Sequence, residues 1–264
     1  MLILALGFAG GFMAGMLGVG GGIVFIPLFQ EMVKNHSVES DKVAYILTNS
    51  LLIVFAVGIT SSIKQYKLKN TNLQASLVTG VAAIVSSLAL SFILQHFHIN
   101  DPRLFRYIFA AVLVLTAIRM LYGQVKKKEP AEDVALPPLR QFVPAGLTAG
   151  VITSLTGLGG GIIMVPYFNS ILKLPIKFST GLSLSVIPLI ALPLLVFYSY
   201  NQPVMKLHEL QTGHIVWTVA LPIVIASMIA GPLGVRFAQK LSSKTLTMIF
   251  LVFIFTTLVK TLFF

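Results

Sequence analysis

The chain contains no cysteine, and only 8 of its 264 residues are acidic. The first absence removes disulfides, thiolate metal sites and thiol nucleophiles. The second is sharpened by position. Glu31, Glu39, Asp41, Asp101, Glu129, Glu132, Asp133 and Glu209 all fall in polar stretches or at the ends of apolar runs. No buried carboxylate relay of the kind that proton pumps carry is therefore legible. The histidines lie in similar places, with His214 nearest to an apolar interior. There is no HExxH, no Ser/His pair on one face, and no glycine loop ending in GK[ST]. The expectation is a protein that is not an enzyme and needs neither cofactor nor metal.

Charge of either sign is scarce, at 10% of residues, where soluble domains carry about 25%. Hydrophobic residues make up 56%, and the mean hydropathy is +0.91. Apolar runs recur at Val43–Ile63, Leu73–Leu94, Leu104–Tyr122, Gly181–Tyr200, Ile215–Phe237 and Leu246–Phe264. Each is long enough to cross about 30 Å of hydrocarbon at 1.5 Å per residue. The fold expected is an all-α polytopic membrane protein, multi-pass in the cell membrane. The net charge of +11 sits in short segments between the runs. It reads as topogenic charge and attraction to anionic lipid, with no nucleic-acid partner. The N-terminus lacks the basic region of a signal peptide, and its sequence recurs mid-chain.

That recurrence is the strongest signal. GFAGGFMAGMLGVGGGIVFIPLF at Gly7–Phe29 returns as GLTAGVITSLTGLGGGIIMVPYF at Gly146–Phe168. Gly18, the triplet Gly20, Gly21 and Gly22, and Pro27 are matched by Gly157, the triplet Gly159, Gly160 and Gly161, and Pro166. A polar stretch with Pro130, Pro137 and Pro138 separates the copies. The chain thus divides into a first half, residues 1–123, a connecting loop, 124–141, and a second half, 142–264. Behind each glycine block KVAYILTNSLLI aligns with KFSTGLSLSVIP, pairing Thr48 with Ser183 and Ser50 with Ser185.

Each block is awkward as a simple span. Glycine costs about 1 kcal/mol per helical position and proline more, so the helix should break at GxGGG. Two topologies follow. Full crossings give eight spans and parallel halves; re-entrant blocks give three crossings per half and inverted halves. The re-entrant reading leaves only Lys34, Lys42, Arg103, Arg106, Lys206 and Lys260 on one side and the rest of the 19 basic residues on the other. Full crossings give no such bias. The positive-inside rule favours inverted halves with both termini outside.

Broken backbone at membrane depth survives only where protein buries it or a wet cavity meets it. Paired breaks therefore point to one central substrate site. Glycine amides at Gly20–Gly22 and Gly159–Gly161, with helix N-termini just behind them, make an anion site without a fixed cation. Glycine used only for close helix packing is the alternative. Polar partners expected at the site are Thr48, Asn49 and Ser50, then Thr156, Ser183 and Ser185, with Thr153, Ser154 and Ser179 nearby. Their hydroxyl and amide groups can hold oxyanion oxygens without burying a charge. Arg119 and Lys260 stand near span ends, where snorkelling is the ordinary role.

Two copies of the Gly-x-Gly-Gly-Gly block with its trailing Pro, each followed by a hydroxyl-bearing helix, resemble the TauE/SafE sulfite-exporter family. The resemblance implies a secondary transporter of sulfur-containing oxyanions: sulfite, sulfoacetate or other organosulfonates. It carries Gly20–Gly22, Pro27, Gly159–Gly161 and Pro166 onto the family's repeated motif. The Thr-Ser pair usual in the family's next helix is replaced here by Thr48-Asn49-Ser50 and Ser183-Leu184-Ser185. The function expected is export by alternating access around the two breaks. An anion channel, or a carrier of another small anion, is the alternative. The implied partners are a small anionic substrate and the lipid bilayer, and a homodimer is compatible with both.

Overall fold

The computed structural model describes residues 2–34, 39–97, most of 107–118, 136–200 and 203–263. It is built almost entirely of helices. The first glycine block forms α1 (Leu2–Leu17) and α2 (Gly22–Val33), and α3 (Glu39–Lys67) and α4 (Leu73–His96) follow. A short 3-10 turn, Leu139–Phe142, leads into α5 (Val143–Thr156) and α6 (Gly161–Pro166), the second glycine block. A π turn, Tyr167–Ile171, extends α6. Then come α7 (Ile176–Ser199), a small hairpin of β1 (Gln211–Thr212) and β2 (Ile215–Val216), α8 (Trp217–Lys240) and α9 (Ser243–Phe263).

Among the described residues, four segments are long and apolar enough to span a membrane: Asp41–Lys67, Leu73–His96, Ile176–Ser199 and Trp217–Lys240. They coincide with four of the expected runs. The run expected at Leu246–Phe264 falls in α9, where the apolar segment found is the shorter Ser243–Thr256. The run at Leu104–Tyr122 is described only in part, and its described positions are helical. The connecting loop 124–141 is described only from residue 136, and Arg119 lies outside the described residues.

Each glycine block folds back on itself. In the second, the Tyr167 hydroxyl donates to the Gln141 carbonyl at 3.2 Å, and the Phe142 and Phe168 rings lie 5.7 Å apart. The end of the returning segment thus stands beside the start of α5. In the first, a Cβ placed on Gly10 would meet the Phe25 ring at 2.5 Å, and one on Gly21 would meet Ala14 Cβ at 3.1 Å. The helix broken by glycine therefore reverses rather than continuing across.

The two halves are interleaved. Gly7, Gly11 and Gly15 of α1 lie in order against Ile223, Ser227 and Gly231 of α8, while Gly146 and Gly150 of α5 lie against Thr79, Ala82 and Ala83 of α4. Glycine every fourth residue makes one helix face of bare backbone, which is how helices approach closely without a hydrophobic driving force. α3 and α7 run antiparallel through the centre. Ser62, late in α3, meets Ser185, early in α7, at 3.4 Å, and Gly58 lies against Ile187 and Pro188. Both helices are mostly buried, whereas α4 exposes Leu77, Val81, Val85 and Phe92 on its outer face.

Candidate functional site

The breaks are alike residue by residue. Gly18, Gly20 and Gly21 have φ of 76°, 77° and 84°; Gly157, Gly159 and Gly160 have 68°, 75° and 71°. A side chain is disfavoured at every one of these angles, so the motif's spacing records a backbone path. The following helices start without a side-chain cap, their N-cap positions being Gly21 and Gly160. Among the described residues no acceptor takes a hydrogen bond from the amides of Gly20, Gly21, Gly22, Gly159, Gly160 or Gly161. All six glycines are buried. Buried peptide N–H groups are rarely orphaned, and a cluster of them at a helix start presents positive potential to an anion.

The two breaks touch. A Cβ on Gly161 would lie 2.5 Å from the Gly18 carbonyl oxygen, and one on Gly22 would lie 3.1 Å from the Gly157 carbonyl oxygen. Each tip is held by the central helix of the opposite half. Ser50 of α3 donates to the Gly157 carbonyl at 3.0 Å, and Ser183 of α7 donates to the Gly18 carbonyl at 2.7 Å. One turn further on, Val54 and Ile187 both lie against Gly20 and Gly159. α1, α5 and α6 contain no charged residue. The electrostatics at the breaks are therefore those of peptide dipoles.

This geometry corrects the expected register of the repeat. Ser50 and Ser183 do the same work, and so do Leu47 and Thr180, which lie against Gly157 and Gly18. The structural partner of Ser50 is Ser183, not Ser185, and Thr48 has no hydroxyl counterpart. Hydroxyl residues recur so often in these helices that an alignment two positions out looked equally good.

The remaining expected residues have separate places. Ser185 bonds the Gly181 carbonyl and the Thr71 hydroxyl, away from the breaks. Asn49 is fully used: Nδ2 donates to the Tyr45 and His214 carbonyls at 2.7 Å each, and Oδ1 accepts from Val216 N–H at 3.0 Å. It fastens the hairpin loop to α3. Thr156 donates to the Ile152 carbonyl and Thr153 to the Ala149 carbonyl, the ordinary back-bonded state. Ser154 and Ser179 likewise bond to carbonyls, those of Val151 and Leu174. Thr48 is buried with a hydroxyl that meets no described partner. Two positions from Ser50 is about 200° around a helix, so it lies on the far side of α3.

Sequence reasoning missed Val54, Ile187 and the clasp on the hairpin loop. The first two carry a weak signal, standing four residues after the paired serines. The clasp joins Tyr45 to Gln211 Nε2 at 3.0 Å and to Leu207 N–H at 3.1 Å, while Asp41 accepts from Val204 N–H at 2.8 Å. Contacts between residues about 160 positions apart leave no trace in a single sequence.

Comparison with known proteins places these features in a family. The family model described as Sulfite exporter TauE/SafE matches residues 3–261. A protein of Methanocaldococcus jannaschii named "Probable membrane transporter protein" is 28% identical over 246 residues, covering 93% of this chain and 88% of that one. One of Haemophilus influenzae, named in the same words, is 27% identical, covering 96% and 94%. The Bacillus subtilis protein "Probable membrane transporter protein YunE" is 22% identical, covering 94% and 92%. No solved structure matches the chain.

Proposed function

The chain belongs to the TauE/SafE sulfite exporter family, and from that premise we propose that it carries a small sulfur-containing oxyanion out of the cell across the plasma membrane, holding it between the two glycine breaks. One observation carries the reading: buried amides at Gly20–Gly22 and Gly159–Gly161 lack acceptors at the point where the two turns touch. An oxyanion supplies several acceptor oxygens to such a place and takes on no fixed positive partner. Sulfite, sulfoacetate and other organosulfonates share that terminal group.

Alternating access is supported by the build of the site. Each tip hangs from the other half through one serine bond, so moving one half against the other changes both tips together. Antiparallel α3 and α7, with the folded-back blocks, support inverted halves, an arrangement in which such rocking exposes one site to opposite sides in turn. Expelling an anion is helped by an inside-negative potential, worth about 2.3 kcal/mol per charge per 100 mV. A titrating carboxylate is then unnecessary at the site.

The test is uptake of radiolabelled sulfite, or a labelled organosulfonate, into proteoliposomes under an imposed potential. Saturable flux that accelerates with unlabelled anion on the opposite side is expected. Flux no faster than in protein-free vesicles, for every oxyanion tried, overturns the reading. Flux that does not saturate and shows no counter-transport assigns a channel.

A further inference from the structure

One end of the molecule carries a second group of buried donors that the glycine breaks do not use. Ser61 and Gln65, one turn apart near the end of α3, are both 0% exposed. The Ser61 hydroxyl and the Gln65 Nε2 have no partner among the described residues, and the same holds for Gln239 Nε2 near the end of α8. These residues stand toward the same end of the molecule. α3 and α8 run side by side in the same direction, since Asn49 bonds Val216 just before α8 and Ser61 lies against Gly231 further along. The circuit closes through α7. Gln65 Oε1 accepts from Asn70 Nδ2 at 3.1 Å, Asn70 lies against Gly181, and one turn earlier the Lys177 ammonium donates to the backbone carbonyl of Gln239 at 2.7 Å.

The chemistry of this group is one-sided. The Gln65 carbonyl oxygen is already occupied by Asn70, so its free end offers only N–H. Gln239 offers another carboxamide, Ser61 a hydroxyl, and Lys177 the remaining hydrogens of an ammonium. A buried donor without an acceptor is costly, and several together mark a place where an acceptor belongs. Around the mouth stand Lys64, Lys67, Lys69, Lys240 and Lys244. The carboxylates of α3, Glu39 and Asp41, are at its opposite end, and α7 and α8 have none. The opposite face, by contrast, mixes Lys34, Lys42 and Lys206 with Glu31, Asp41 and Glu209.

We propose that Ser61, Gln65, Gln239 and Lys177 form a second oxyanion-binding site, a vestibule at the basic end of the molecule that captures the anion before it reaches the glycine breaks. It rests on the transport reading for its purpose but not for its existence. A basic rim raises the local anion concentration, and neutral donors inside hold the anion without trapping it as a buried ion pair would. The same oxyanion chemistry occurs on phospholipid headgroups, and the experiment separates the two sources.

The test measures thermal unfolding of the full chain in neutral detergent against sodium sulfite, with sodium sulfate as a second probe, for the native protein and for Gln65→Leu and Gln239→Leu. Loss of one hydrogen bond to a charged oxygen should raise the half-saturating sulfite concentration about tenfold. Gln239→Leu should be at least as stable as the native protein without anion, because an orphaned donor has been removed, whereas Gln65→Leu also takes the acceptor from Asn70 Nδ2 and is read by its sulfite response alone. That combination distinguishes ligand donors from structural ones, whose loss lowers stability. Should Gln65→Leu fail to fold, Gln239→Glu at the half-buried position must weaken sulfite stabilisation further, by like-charge repulsion. Unchanged half-saturation in the variants overturns the vestibule, and so does a native protein that no probe stabilises. Stabilisation by phosphatidylglycerol nanodiscs but not by sulfite, lost in the same variants, assigns the donors to lipid and overturns it too. Retained sulfite binding without flux would sink the transport reading alone.

Discussion

At the scale of single residues, the site is defined by what glycine permits and by what two serines hold. Val in place of Gly21 or Gly160 asks a β-branched residue to adopt φ of 84° or 71°, which costs about 1–3 kcal/mol in backbone strain. It also drives a side chain into the Phe25 ring in the first block, or into Ala149 and Thr153 in the second. Either substitution should cut sulfite-dependent thermal stabilisation, measured beside the native protein, to the share the Gln65 vestibule supplies, and should leave none when combined with Gln65→Leu. An undiminished response would make these glycines packing residues. The serines give a subtler test. Ser50→Ala and Ser183→Ala each leave a buried carbonyl, Gly157 or Gly18, without its donor, at a cost of about 1–3 kcal/mol. Because the two bonds are equivalent, the losses should be alike within error in denaturant titrations. Ser185→Ala, at the position the sequence alignment had paired with Ser50, should be the odd one out.

At the scale of elements, the loop between α7 and α8 is tied across α3 by Tyr45, Asn49 and Asp41. Asn49→Leu keeps the volume of the side chain but breaks its bonds to the Val216 N–H and the His214 carbonyl, a loss of about 2–4 kcal/mol. Amide exchange across residues 203–216 should accelerate in that variant while exchange in α4 is unchanged. Uniform acceleration over the whole chain would instead make Asn49 a global stabiliser. Elements are also where the sequence was most legible. The four long helices and both broken ones could be read from apolar run length and from GxGGG, because length and glycine conformation are local properties. The function of Asn49 could not. As a polar residue in an apolar helix it looks like a ligand, and only a loop arriving from about 165 positions away reveals that its amide is spoken for. Ser50 was legible as a site residue, yet its partner was misread by two positions. Pairing across halves is decided by where helices cross, which no run of residues encodes.

At the scale of the whole molecule, the question is which sides of the membrane the loops occupy. Lys69 follows α3 and Lys206 precedes α8, and both are exposed. If each glycine block crossed the bilayer fully, the two residues would share a side. If the blocks are re-entrant, α3 and α7 cross in opposite senses and the two residues face opposite sides. The folded-back blocks, in which Tyr167 meets Gln141, and the antiparallel meeting of α3 with α7 at Ser62 and Ser185 favour the second arrangement. The end that holds Lys69 also holds Lys177 and Gln239, joined at 2.7 Å, and the positive-inside rule predicts that end to face the cytoplasm. The chain's lack of cysteine makes the experiment clean. Single substitutions Lys69→Cys and Lys206→Cys, exposed in intact cells to a membrane-impermeant maleimide, should label only at position 206, and position 69 should become reactive after permeabilisation. Labelling of both from outside, or of neither, would restore the parallel topology. It would also conflict with the folded-back blocks, since a block that crosses the bilayer fully cannot bring Tyr167 back to Gln141 beside its own start.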